Sequence, residues 1–289
     1  MRSKRPLVAQ SDSPPAGDID DTLPANGACS MSPPLLQEPY DAHADGYVEH
    51  LDPTLADAAR RLAELAGARR GMRLLDLATG TGTAARAAVA FGASVVGVDR
   101  STGMLAVARE RSPEIDLRVA DACALPFDRA TFDAVTCGLS LSHFADRETA
   151  LREVLRVLRA GGRLVASSWG KGSSLPTRAV GELLERYAMP RGVLDERTWL
   201  GPDRGSAELR RVGFERVSVR RESFAGSFAD TDEALAWSLA WPHTASRLAQ
   251  LDPGLRERFL REAHQALLGS DLSWRFVFNF YLASKSASR

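Results

Sequence analysis

A chain of 289 residues, 44% hydrophobic and 26% charged, has enough apolar material for a full core in one large domain or two small ones. Its 37 basic and 37 acidic residues cancel, which excludes a global field drawing it to nucleic acid or anionic lipid. The three cysteines, Cys29, Cys123 and Cys137, lack C-x-x-C spacing, so neither a disulfide scaffold nor a metal site is expected.

Residues 1–35 carry Pro6, Pro14, Pro15, Pro24, Pro33 and Pro34 among small polar residues, with too little apolar surface to offset the entropy of ordering. They are expected to form a disordered tail ahead of a single domain over 36–289, and Met31 is a second candidate start. No apolar stretch follows the basic Met1–Arg5, so no signal peptide is read. No run is long enough to span a membrane, and a cytoplasmic protein without a membrane partner is expected.

Ala56–Ala66 spaces its apolar residues as an amphipathic helix. Arg73–Leu77 reads as a buried strand, followed by a Gly/Thr turn and the Ala-rich helical run Thr83–Phe91. Ser94–Val98, Leu117–Ala120, Phe132–Cys137 and Arg163–Ser168 are further strands. Gly103–Arg111 and Arg147–Leu158 are helices between them. Alternation of this kind means right-handed crossovers and a parallel sheet, and the unbroken apolar strands fit a sheet covered on both faces. The later chain reads as helices over 177–188, Ser206–Val212, Thr231–Leu239 and Pro253–Leu268, with strands at Arg216–Ser223 and Ser273–Ala283.

The chemistry is concentrated in Leu74-Leu75-Asp76-Leu77-Ala78-Thr79-Gly80-Thr81-Gly82-Thr83, a strand running into a glycine turn that opens a helix. Glycine admits positive φ and close approach of a ligand, and in an open α/β sheet this turn lies at the carboxyl edge where ligands bind. Gly80 to Ala85 also satisfies the G-x-G-x-x-[GA] dinucleotide fingerprint, and a plain ligand-free turn is the alternative. Val95-Val96-Gly97-Val98-Asp99 then ends a strand in an acid that can accept both ribose hydroxyls; a helix cap before Ser101 is the other use for Asp99. Asp121 closes the strand Arg118–Ala120 and can accept from an exocyclic amine such as adenine N6. Leu125-Pro126-Phe127 and Leu155-Arg156-Val157-Leu158-Arg159-Ala160-Gly161-Gly162-Arg163-Leu164 complete the set.

Taken in order, these motifs resemble the class I S-adenosylmethionine-dependent methyltransferases over about Tyr40–Trp169. The likeness is to the type 11 group that includes ubiquinone and menaquinone biosynthetic enzymes. The resemblance implies a Rossmann-like α/β fold: a seven-stranded, mostly parallel sheet with the last strand antiparallel, and helical lid insertions. It places the cofactor-binding core at about 56–170, the substrate and lid helices at about 171–270, and the closing strand at about 273–285. It also implies S-adenosyl-L-methionine as cofactor and S-adenosyl-L-homocysteine as product.

By position, Ala78, Thr79, Gly80 and Gly82 would lie against the methionine part, with Asp99 and Arg100 at the ribose and Met104 on the adenine face. Asp121 and Ala122 would meet the amine edge, and the Cys137-Gly138-Leu139 backbone would pass beneath the cofactor. Tyr40 and Tyr47 belong to a segment like the family's N-terminal lid, where aromatic faces favour a sulfonium. Ala78 departs from the family's first glycine, and it suits a close ligand if its backbone angles are regular. Met104 and either tyrosine have ordinary packing as their alternative, and Cys137 reads as a small buried hydrophobe.

His143, just beyond the fourth strand, is the candidate general base, since an imidazole titrates near neutral pH; a structural histidine is the alternative. His43 and His50 are alternative bases from the lid side, and His243 after Trp241-Pro242 would face the substrate from above, whereas His264 reads as solvated. Trp199, Trp237 and Trp241, with Phe224 and Phe228, would line an apolar or aromatic acceptor pocket or simply build core. The function expected is methyl transfer to a small apolar or aromatic metabolite, on oxygen or carbon. A rearrangement or cyclisation on the same fold and an NAD-dependent oxidoreductase are the alternatives. Nucleic acid is not an expected partner, since no [DNS]-P-P-[YFW] motif follows the fourth strand.

Overall fold

The computed structural model describes residues 38–176, 178–187 and 201–287. The expected tail, Trp199 and both ends of the helix expected over 177–188 lie outside the described residues. Among the described residues there are seven strands: β1 Arg73–Leu77, β2 Ser94–Asp99, β3 Asp116–Val119, β4 Phe132–Cys137, β5 Leu158–Trp169, β6 Glu215–Ser227 and β7 Ser273–Ser284. They form one sheet in the order β3-β2-β1-β4-β5-β7-β6. Strands β1 to β5 pair in parallel, and β7 runs antiparallel to both β5 and β6. The arrangement is the Rossmann-like one expected.

Strand alternation divides the core into two layers. On β1, Leu74 packs on one face with Ala134 and Val165. Leu75 and Leu77 pack on the other with Val96, Val98, Val135 and Leu164. The first face is covered by α3 (Asp52–Ala66), α4 (Thr83–Ala90) and α5 (Thr102–Arg111), the second by α6 (Arg147–Val157) and α8 (Pro202–Val212). Right-handed crossovers leading away from β1 in opposite directions require this division. They open a crevice at the carboxyl ends of β1 and β4, where the strand order reverses.

Ahead of α3 lie two short helical pieces, α1 (Glu38–Ala42) and α2 (Ala44–Gly46), and a π-helical turn, Tyr47–Leu51. Helix α3 starts four residues earlier than its periodicity predicts, because Pro53 sits in the first turn, where its missing N–H costs nothing. A second wing stands on the α3 face: α7 (Arg178–Arg186), then α9 (Thr231–Leu239), α10 (Pro242–Ala249) and α11 (Pro253–Leu267) between β6 and β7. Helix α10 has no counterpart among the expected elements. It is a short helix whose start has no side-chain cap. Alternate residues of β7, Phe276, Phe278 and Phe280, meet Trp237, Trp241 and Phe259 in one aromatic cluster.

Candidate active site

The glycine turn after β1 is held from both sides. Thr79 donates its N–H to the Val98 carbonyl at 2.9 Å, and Gly80 donates to Asp99 Oδ2 at 2.8 Å. Gly80 and Gly82 take φ of 54° and 81°. A Cβ added at Gly80 would meet nothing within 4 Å, so the turn presents bare backbone to open space. Ala78 also has a left-handed φ of 55°, so the condition of regular backbone angles is not met there. Its missing glycine is therefore met by strain, not by an ordinary extended residue. Leu139, just past β4, is left-handed too, at 58°. Strained non-glycine backbone thus flanks the crevice on both central strands, which is where functional sites store it.

Asp99 closes β2 with its carboxylate turned into this crevice. Its Oδ1 accepts the Ser101 N–H at 2.9 Å, and burial holds its carboxyl above the usual range. The cap of α5 is Ser101, whose Oγ accepts from the Met104 N–H. Asp99 is therefore not the helix cap; each of its oxygens accepts a backbone N–H, Gly80 on Oδ2 and Ser101 on Oδ1. Met104 is buried. Asp121 Oδ1 accepts the Cys123 N–H at 2.9 Å, so this acid is in part a turn former. Arg100 and Ala122 follow Asp99 and Asp121 at the same edge. Cys137 is fully buried with its thiol pushed up by desolvation, which suits a packing residue. Leu139 donates its N–H to Ser167 Oγ at 3.1 Å, fixing the backbone beyond β4 against β5.

Three acids carry more of the site than their sequence positions disclose. Asp76, 1% exposed, accepts from Thr79 Oγ1 and Thr136 Oγ1, both at 2.7 Å. Desolvation pushes its pKa up to about 6 against the pull of those donors. Asp41 Oδ1 accepts from Ser101 Oγ at 2.6 Å and from the Gly103 N–H at 3.0 Å, latching the lid onto the start of α5. A side chain at Gly103 would overlap the Asp41 backbone, so glycine is what permits this approach. Asp52 accepts from Thr81 Oγ1 at 2.9 Å and from Arg111 at 2.5 Å, joining α3, the glycine turn and the end of α5. The sequence signal for Asp76 was its place within the glycine motif. For Asp41 and Asp52 there was none.

Four of the expected side chains converge at the carboxyl end of β4. The Tyr40 ring lies 6.4 Å from Tyr47, 6.0 Å from His143 and 5.7 Å from His243, edge-on to the last. His143 ends a short 3₁₀ turn, Leu141–His143. Its pKa is pushed down to about 4 by desolvation and by His243 nearby, not held near neutral as expected. Burial also lowers His43 and His243. His50 lies 3.8 Å from Glu49, and His264 is 3.3 Å from Asp232. Trp237 and Trp241 stand further back: both are buried in the aromatic cluster, and the Trp237 indole N–H donates to Thr54 Oγ1 at 3.0 Å. The group of expected acceptor residues is thus split, with His243 beside Tyr40 and Trp237 and Trp241 in the aromatic cluster. Among the described residues, no cluster of three His, Cys, Asp or Glu side chains is placed to hold a metal ion. None of their helices is long and apolar enough to cross a membrane.

The sheet order, with the bare glycine turn and the acid ending β2 at the carboxyl edge, defines a class I methyltransferase fold. Residues 75–166 match the methyltransferase domain of the type 11 family. The demethylmenaquinone methyltransferase of Streptomyces griseus is 41% identical over 56% of this chain and 76% of its own length. That of Renibacterium salmoninarum is also 41% identical, over 42% of this chain, which here spans about half (51%) of the relative. Phosphoethanolamine N-methyltransferase 2 of Haemonchus contortus, solved with phosphomonomethylethanolamine and S-adenosylhomocysteine, is 22% identical with a TM-score of 0.56. That alignment covers 89% of this chain and 61% of the other. The chain belongs to the type 11 family of class I S-adenosylmethionine-dependent methyltransferases. Its cofactor is S-adenosylmethionine.

Proposed function

We propose that this protein transfers a methyl group to an apolar, aromatic small-molecule acceptor, on carbon or oxygen. The observation that carries the reading is the ring cluster of Tyr40, Tyr47, His143 and His243 beside the Asp99 crevice. The relatives named for demethylmenaquinone support it, since a quinone-class ring is an acceptor of that chemistry.

The residues present suit the cofactor. The backbone over Gly80 is open, and the Asp99 carboxylate matches a pair of ribose hydroxyls. In this reading Ala78, Thr79, Gly80 and Gly82 border the methionine part, and Arg100 accompanies Asp99 at the ribose. Met104 covers the adenine face, Asp121 and Ala122 meet its amine edge, and Cys137-Gly138-Leu139 runs beneath. When bound, S-adenosylmethionine supplies an already activated methyl group.

The protein then has three tasks: alignment, exclusion of water and removal of a proton where the acceptor is a hydroxyl. Tyr40 and Tyr47 close the crevice with ring faces that favour a neighbouring cation. His143 is neutral at physiological pH, because burial makes its imidazolium costly; this keeps it in the base form and makes it a weak base, suited to an acidic hydroxyl such as a phenol- or quinol-class one. His43 and His243 flank it on the acceptor side, and Trp237 and Trp241 back the apolar wall.

Calorimetry tests the cofactor, and mass spectrometry of products from 1,4-dihydroxynaphthalene with deuteromethyl-labelled S-adenosylmethionine tests the acceptor class. S-adenosylhomocysteine should bind, NAD should not, and a deuteromethyl product should form. Tight NAD binding without S-adenosylhomocysteine binding refutes the reading.

A further inference from the structure

Trp169 ends β5, next to the strand whose carboxyl end carries the histidine turn. Its ring is packed by Phe278 at 4.9 Å, Phe276 at 5.4 Å and Trp241 at 6.0 Å, leaving it 5% exposed. Within this cage the indole Nε1–H is buried and has no hydrogen-bond partner among the described residues. Buried donors left unpaired are rare in folded proteins, because desolvating an N–H without an acceptor is costly. Trp237, in the same cluster, shows the ordinary solution: its indole N–H is spent on Thr54. Trp169 keeps its own in reserve.

The position of this donor gives it a use. Trp241, which touches Trp169, leads directly into α10. Two residues on, His243 packs edge-on to Tyr40, and Tyr40 packs on His143. One wall of rings therefore runs from the orphan N–H to the imidazoles at the crevice. A planar apolar molecule lying along it would find a hydrogen-bond donor at the far end.

We infer that Trp169 is the acceptor-recognition residue, its indole N–H donating to an oxygen of a phenol- or quinol-class ring. This rests on the aromatic-acceptor reading above and adds the polar contact that selects hydroxylated rings over plain hydrocarbons. Entry requires Trp241 and the first turn of α10 to swing off Trp169. A buried amide- or indole-type donor left without its acceptor disfavours any ligand that cannot supply one, which is how such a site discriminates.

Binding of 1-naphthol and of naphthalene to the full chain, with and without saturating S-adenosylhomocysteine, tests this without requiring turnover. The wild-type protein should bind 1-naphthol about tenfold more tightly than naphthalene. Trp169→Phe keeps a ring but removes the donor. It should abolish that preference, read as the ratio of the two affinities, while leaving S-adenosylhomocysteine affinity unchanged. Should Trp169→Phe fail to fold, 3-benzothienylalanine at 169 replaces N–H by sulfur at almost constant volume and gives the same readout. No preference in the wild type, or a preference that survives the loss of the N–H, overturns the inference. Because binding is read in both states, failure of the cofactor assignment shows separately, as absence of S-adenosylhomocysteine binding.

Discussion

At the scale of single residues, the crevice depends on a few groups whose loss has distinct signatures. Asp99→Ala removes the acceptor for the Gly80 and Ser101 N–H groups and, in the proposed site, for the ribose hydroxyls. Charge-assisted bonds are worth roughly 1.5–3 kcal/mol, so S-adenosylhomocysteine affinity by calorimetry should fall about tenfold to a hundredfold. An unchanged affinity in a folded variant would move the ribose elsewhere. Ala78→Gly should act the other way on stability. Its φ of 55° costs an alanine about 1 kcal/mol that glycine does not incur, so the denaturant midpoint should rise. A fall would mean that the alanine methyl packs usefully there. For His143, substitution by Ala should lower kcat by roughly 10²–10⁴-fold on a hydroxyl acceptor, with cofactor affinity retained. Since its imidazole titrates at about 4, the wild-type rate should be flat near neutral pH and fall only in acid. A folded His143→Ala protein with wild-type kcat would remove it from the chemistry.

At the scale of elements, the lid is tied down by one carboxylate. Asp41 satisfies two donors at the start of α5, and Gly103 leaves room for the lid backbone to reach them. Losing a cap of this kind costs about 1 kcal/mol, a factor of about five in the closed population. Asp41→Ala should therefore speed S-adenosylhomocysteine release several-fold in stopped-flow displacement and expose residues 42–51 to limited proteolysis. Release and cleavage at wild-type rates would show that the ring contacts of Tyr40 hold the lid without the latch.

At the scale of the whole molecule, two buried groups pull the pH dependence of stability in opposite directions. His143 has a folded pKa of about 4, below its free value of 6.5. Between those values the unfolded chain binds more protons, and stability is lost as pH falls. Asp76 has a folded pKa of about 6, above its free value of 3.8. There the folded chain binds more protons, and stability is lost as pH rises. The two partly cancel from about pH 4 to 6. Relative to wild type, His143→Gln should steepen the loss of stability with rising pH across this window, and Asp76→Asn should steepen the loss with falling pH. Denaturant midpoints measured at half-unit intervals check both signs, and parallel curves for all three proteins would refute the assignment.

Much of this protein was written locally in its chain. The β1 turn with Gly80 and Gly82, the acid Asp99 one strand later, and the apolar runs of β1 to β5 are short-range patterns. Their chemistry dictates strand and turn before any tertiary contact forms, so the parallel sheet and the crevice at its carboxyl edge were legible. What tertiary structure decided depends on partners far apart. Asp41 meets Ser101 across 60 positions, and Thr136 meets Asp76 across the same span. Neither pairing leaves a periodicity or a spacing to read. The left-handed turn at Ala78 is invisible because alanine carries no conformational signal of its own. The low pKa of His143 and the unpaired N–H of Trp169 are products of desolvation. An imidazole and an indole look the same in a sequence whether water reaches them or not, and only the packed fold determines which.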